Sequence, residues 1–232
     1  MLEVREITVI YPGGAKAVDG VSFRVNDGAS VALAGSNGAG KTTLLLALVG
    51  LLPLKAGSVR ANDVELSRFT LAQIRRTIGL VFQNPDDSLF MPRVLDDVMF
   101  GPVNLGLSEP QARERAMETL VSLGVERLAE RSPLRLSGGE KRMAGLAAVL
   151  AMRPSILLLD EPTAFLDPKS RRRLADALIR LPQTKLIATH DLSFAAAICN
   201  DAILLKNGAL LANGACSALF SDAALMESCD LE

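Results

Sequence analysis

Apolar and polar positions along this 232-residue chain change rhythm several times. Over Leu2–Ile10 and Gly20–Val25, apolar or β-branched residues alternate with polar ones around a Pro12-Gly13-Gly14 turn, the pattern of half-buried strands. Ser30–Ala34 (SVALA) is an unbroken apolar run, as expected of a strand covered on both faces. A glycine-rich loop and a helix opening near Lys41 follow it. Further strands are read at Ile156–Leu159, Leu186–Ala188 and Ala202–Leu205, with helices over 169–180 and 192–199 and a Gly208 turn into a last short strand. Strands alternating with helices predict an α/β fold on a mainly parallel sheet. Leu71–Phe82 leads into the polar break Gln83-Asn84-Pro85-Asp86-Asp87, and from there to about Gly145 the character changes. Pro110–Leu123 and Glu126–Arg131 are charged and helix-forming with no β-branched run, so residues 84–145 read as a helical insertion.

Composition narrows the field. The chain is 49% hydrophobic and 22% charged with a mean hydropathy of +0.28, as a compact protein should be. Lys+Arg 25 against Asp+Glu 26 leaves a net charge of -1, so no basic surplus advertises nucleic acid or an anionic membrane. Cys199, Cys216 and Cys229 include no CxxC pair, and with a single histidine they offer no structural zinc site. An odd count fits a reducing compartment. The N-terminus scatters charges among its apolar residues, unlike a secretory signal. The longest apolar run, Leu44–Leu52, is about half the roughly 20 residues a spanning helix needs.

Short polar motifs carry the chemistry. Gly35-Ser36-Asn37-Gly38-Ala39-Gly40-Lys41-Thr42 matches the phosphate-loop pattern G-x-x-x-x-G-K-[ST], between an expected strand and an expected helix. Its glycines let successive backbone N–H groups face one anion at the positive end of a helix. That dipole contributes only about 0.3–1 kcal/mol per exposed charge, so the Lys41 ammonium and a magnesium held by Thr42 must do most of the neutralising. Ile156–Leu159 ends in Asp160-Glu161: one carboxylate suits the metal, and the second is free to orient and deprotonate water. Ser137-Gly138-Gly139-Glu140 alone reads as a plain turn, but two glycines ahead of an Ala- and Leu-rich helix would make a second anion site. A chain that already owns one such site per nucleotide would use the second on a partner's ATP.

In this order the motifs resemble the nucleotide-binding subunit of ABC transporters over essentially the whole chain. Gly35–Thr42, with Thr43 beside it, resembles Walker A; Gln83 the Q-loop; Leu136–Glu140 the signature; Asp160 and Glu161 Walker B with its catalytic Glu; Ala164–Asp167 the D-loop; His190 the switch histidine. Tyr11 sits where the family places an aromatic that stacks on adenine. The resemblance implies a P-loop core of about 1–83 and 146–232 with an antiparallel β subdomain, forming a single domain with the helical subdomain of about 84–145. It implies Mg2+ with ATP, the metal falling to Thr42, Gln83 and Asp160, and catalysis to Glu161, His190 and Gln83. Two departures stand out: Glu140 where many relatives have Gln, and Ala164-Phe165 in the D-loop.

The stretch from Phe82 to Leu107 is similar to ATPases of energy-coupling-factor (ECF) importers. The compact length and the C-terminal Glu227–Glu232 look more like the cobalt and nickel branch than the vitamin branches. The resemblance implies a homodimer or a heterodimer with a related ATPase, a transmembrane coupling subunit and a substrate-binding membrane subunit, and no nucleic acid. It implies a peripheral place on the cytoplasmic side of the cell membrane. A vitamin importer such as one for biotin, or a non-transport ABC ATPase, remains the alternative. Leu89, Phe90, Val94 and Val98 are expected to wall a groove beside Gln83 that receives a helix of the coupling subunit.

Overall fold

The computed structural model describes residues 1–231; Glu232, last of the C-terminal hexapeptide noted above, lies outside them. In chain order the elements begin β1 (Leu2–Ile10), β2 (Lys16–Val25), β3 (Ser30–Ala34), α1 (Lys41–Leu48), β4 (Ala56–Ala61), β5 (Val64–Glu65), α2 (Leu71–Thr77) and β6 (Ile78–Val81). Next come α3 (Val94–Asn104), α4 (Glu109–Ser122), α5 (Gly138–Leu150), β7 (Ile156–Asp160) and α6 (Pro168–Arg180). The chain closes with β8 (Thr184–Thr189), α7 (Leu192–Ile198), β9 (Asp201–Lys206), β10 (Ala209–Ala215), α8 (Cys216–Phe220) and α9 (Ala223–Ser228). These form two compact units: one of Met1–Leu80, Ser155–Glu161 and the chain from Pro182 on, the other of Val81–Pro154 and Pro162–Leu181.

The first unit carries a six-stranded sheet in the order β10-β9-β3-β8-β7-β6. β3 lies parallel to both β8 and β9, and β7 parallel to β8. β7 and β8 are buried throughout and β3 nearly so, which explains the apolar runs of β3 and β7 and of Leu186–Ala188 within β8. Ala34 stands opposite Thr189 and Leu204, and Asp160 opposite Ala188. The carboxyl ends of the strands therefore arrive together, at the edge where open α/β sheets bind ligands. β10 returns antiparallel through Asn207 and Gly208, whose φ of 49° and 77° are the paired positive angles of a tight hairpin. A second, antiparallel sheet runs β2-β1-β4-β5. Its β4 (AGSVRA) has Val59 as its one β-branched residue, and pairing with β1 at Leu2↔Ala61 and Val4↔Val59 makes it a strand. The three cysteines are buried thiols, and burial pushes Cys199 up to about 12 and Cys216 to about 11.

In the second unit α3, α4 and α5 pack on one another and α6 on α5. α4 opens on a capping box, the Ser108 N–H donating to Gln111 Oε1 at 3.1 Å, and buries Ala112, Ala116 and Leu120 on one face. Glu126–Arg131, expected as helix, forms only a 3₁₀ turn over Glu126–Leu128. The carbonyls of Ala129 and Arg131 instead accept the first N–H groups of α3, from Leu95 at 2.9 Å and Val94 at 3.0 Å. The expected groove wall needs correction for the same reason: Leu89, Val94 and Val98 are buried in this unit's own core. Phe90 alone of the four faces out, 61% exposed, edge-to-face with Phe100 at 5.1 Å. No helix among the described residues is long and apolar enough to cross a membrane.

Candidate nucleotide site

The glycine-rich loop leaves β3 at Gly35 and enters α1 after Gly40, two positions where backbone approach rules out a side chain. A Cβ at Gly35 would overlap the Leu205 carbonyl oxygen, and one at Gly40 the Ala17 carbonyl oxygen. Gly40 also has φ 102°, which only glycine adopts without strain. The Gly208 turn braces the loop, its N–H donating to Ala39 O at 2.9 Å. Lys41 is buried, donating to Gly35 O at 2.6 Å and Ser36 O at 3.2 Å and pairing with Glu161 Oε1 at 3.2 Å. The Thr42 hydroxyl donates to Asp160 Oδ2 at 2.8 Å, and Tyr11 Oη lies 3.0 Å from Thr43 Oγ1.

The two carboxylates that end β7 thus face different partners. Asp160 takes the hydroxyl of α1, while Glu161 lies between the Lys41 ammonium and His190 Nδ1, the latter 2.9 Å from Oε2. Both acids are buried; the His190 side chain is 55% exposed. Glu161 holds φ 40° while its N–H donates to Ala188 O at 2.8 Å, so the sheet anchors a left-handed residue at the strand end.

The second unit holds Gln83, Ser137–Glu140 and Asp167. Ser137 caps α5 in a capping box with Glu140: its N–H donates to Glu140 Oε2 at 3.0 Å and its Oγ accepts from the Glu140 N–H at 3.3 Å. Glu140 also pairs with Arg127 at 2.8 Å and Arg131 at 3.2 Å. The Ser137 amide, with Arg127 next, holds the Glu140 carboxyl down at about 2. Gly138 and Gly139 open the helix, and a Cβ at Gly139 would overlap Ser170. Asp167 caps α6, accepting the Ser170 hydroxyl at 2.6 Å and the amides of Lys169 and Ser170, so its carboxyl lies below the usual range. Phe165, two residues before it, has φ 62° and is 97% exposed.

Comparison with known proteins decides the family. The ABC transporter family model matches residues 18–164. The chain belongs to the ABC transporter family, as an ATP-hydrolysing subunit. It is 47% identical over 232 residues to a Geobacter sulfurreducens protein that carries the name of an ABC transporter ATP-binding protein, covering 100% of this chain and 93% of that one. It is 41% identical to the energy-coupling factor transporter ATP-binding protein EcfA of Methanothermobacter thermautotrophicus, covering 100% of this chain and 76% of that one. Among solved structures it matches CbiO1 of Clostridium perfringens, part of the ABC transporter complex CbiONQ, at 33% identity and TM-score 0.87 over 100% of this chain and 94% of that one. It also matches an ATP-binding cassette solved as a dimer in a post-hydrolysis state with ADP and Pi, at 29% identity and TM-score 0.82 over 93% and 99%.

An ABC ATPase of this kind implies magnesium, and the donor set fits it. Thr42 Oγ1 and Asp160 Oδ2 lie 2.8 Å apart, a hydroxyl and a carboxylate of the hard-oxygen type that Mg2+ prefers. Among the described residues no group of three His, Cys, Asp or Glu could hold a metal alone. Such a site would fill with water and phosphate oxygens. Two contacts escaped sequence reasoning, that of the Gly208 turn with the glycine-rich loop and that of Arg142 with the 82–83 backbone. The Asn207-Gly208 turn had a signal, since Asn-Gly marks a hairpin, but nothing local placed it against the loop. Arg142 of α5, 2% exposed, donates to Phe82 O at 2.7 Å and Gln83 O at 2.6 Å. One arginine near the start of an Ala- and Leu-rich helix gives no hint of that.

Proposed function

We propose that this ATPase powers import of a transition-metal ion, cobalt or nickel, through an ECF-type transporter, working as a head-to-tail pair on the cytoplasmic side of the membrane. The observation that carries the transporter reading is the likeness over the whole chain to CbiO1 of the CbiONQ complex, and the metal cargo is our reading of the compact length and the C-terminal residues. In this reading Thr42 and Asp160 hold the Mg2+ that accompanies ATP, which supplies charge neutralisation for the phosphates. Lys41 and the N–H groups of the glycine-rich loop bind the phosphates, and Tyr11 stacks on the base. Glu161 accepts the proton of the attacking water. Its support is its placement: buried, and aligned between a lysine at 3.2 Å and a histidine at 2.9 Å. His190 orients that base and can reach the γ-phosphate from the end of β8. Gln83 orients the water. Ser137–Gly139 at the start of α5, of which Ser137 and Gly138 are exposed, act on the ATP of the second copy, with Glu140 holding the cap and Asp167 the D-loop beside it.

The coupling subunit docks on the helical unit where Phe90 and Phe100 face out. The test is to express this chain with the membrane proteins encoded beside it and to measure uptake of cobalt, nickel and biotin. ATP-dependent accumulation of cobalt or nickel, abolished by Glu161→Gln, is the expected result. Uptake of biotin and neither metal would overturn the cargo reading and leave the ATPase reading intact.

A further inference from the structure

We propose that Arg142 is a positioning residue that ties Gln83 to the signature helix; this rests on the reading of Gln83 as the residue that orients the water. A guanidinium only 2% exposed must spend its charge on fixed partners, because an unpaired charge in the interior is strongly unfavourable. Its partners include two consecutive carbonyls, Phe82 O at 2.7 Å from Nη1 and Gln83 O at 2.6 Å from Nη2. Successive carbonyls of an extended chain point to opposite sides. For both to accept from one planar fork the backbone must bend, and the bend falls at Gln83, just after β6 ends at Val81. The fork is rigid, so it sets both peptide planes and with them the direction in which the Gln83 side chain leaves.

The neighbouring residue repeats the hold. Lys141 pairs with Asp86 at 2.6 Å, and Asn84 Oδ1 accepts the Asp86 N–H at 3.2 Å to cap the turn Pro85–Asp87. The 82–87 segment is therefore fastened to α5 at two points. The same helix starts at Ser137, and five residues at about 1.5 Å each put the two ends of this lever about 7.5 Å apart. A displacement of the signature by a second copy's nucleotide is passed to Gln83 through one turn and a half of helix.

The test compares Arg142→Lys and Arg142→Met, alone and in Gln83→Ala, in the full chain. A compact ammonium cannot hold two carbonyls in one plane, so Arg142→Lys should lower kcat about tenfold and Arg142→Met about 100-fold, with KM for ATP changed less than about threefold. In Gln83→Ala, which itself should lose turnover, both substitutions should cost less than about twofold more, since they act through the missing side chain. Independently of turnover, amide exchange over 82–87 should quicken at least about tenfold in Arg142→Met while α4 keeps its protection. Unchanged kcat in Arg142→Met, undiminished costs in the Gln83→Ala background, or faster exchange spread across the whole helical unit would overturn the proposal. Normal turnover by Gln83→Ala would instead overturn the reading of Gln83, and the exchange measurement would still decide whether Arg142 holds the segment.

Discussion

Replacing Glu140 by Gln tests how the signature helix is held. The carboxyl is 17% exposed and accepts from the Ser137 amide, the Ser137 hydroxyl, Arg127 and Arg131. A carboxyl held at about 2 in place of 4.5 favours the folded, ionised form by about 3 kcal/mol at neutral pH as an upper bound. Gln keeps an acceptor for the amide and loses the charge, and charge-assisted bonds exceed neutral ones by about 1–2 kcal/mol. Glu140→Gln should therefore destabilise by about 1–2 kcal/mol at pH 7. The sign with pH follows from the lowered folded-state value. The contribution is complete above the unfolded value near 4.5 and is lost as pH falls toward about 2. By pH 4 the parent should have lost part of this contribution, on the order of 1 kcal/mol or less, and the variant none, so the gap narrows. Urea unfolding followed by far-ultraviolet circular dichroism at pH 7 and pH 4 measures it. A gap that stays constant between the two would refute the argument that Glu140 is ionised against its cap.

Three further outcomes are expected. Glu161→Gln should keep ATP bound and lose turnover, so that ATP traps a dimer visible by gel filtration; wild-type turnover would move the base elsewhere, with His190 next. Gly35→Ala pushes a methyl into the Leu205 carbonyl, a strain of about 1–3 kcal/mol, and should weaken nucleotide binding about tenfold by calorimetry; unchanged affinity would mean the loop can shift freely. Phe90→Asp should uncouple uptake while ATP turnover persists, because its ring is exposed and lies outside the unit's core; normal uptake would place docking elsewhere.

The chemistry of this protein was written locally. Gly35–Thr42 and Asp160-Glu161 stand out in the sequence because the phosphate binding and proton transfer proposed for them demand particular residue types at fixed spacing, and an anion-binding turn needs glycine wherever it is met. The buried strands were legible for a similar reason: β3 and β7 are covered on both faces and read as apolar runs, whereas in β8 only Leu186–Ala188 does, between the buried polar residues Thr184, Lys185 and Thr189. Partners far apart in sequence were decided only by folding. β4 is a strand because β1 supplies its hydrogen bonds, and the same carbonyl bonding that caps α3 keeps Glu126–Arg131 from becoming a helix. Leu89, Val94 and Val98 looked like a surface and became a core, since a helical insertion must bury its own apolar stripe before it can offer one to a partner. The placement of Glu161 between Lys41 and His190, and of Arg142 beneath Gln83, depends on strand register and helix packing. No local pattern encodes a distance between residues 120 or 29 positions apart, so only the tertiary structure could set those contacts.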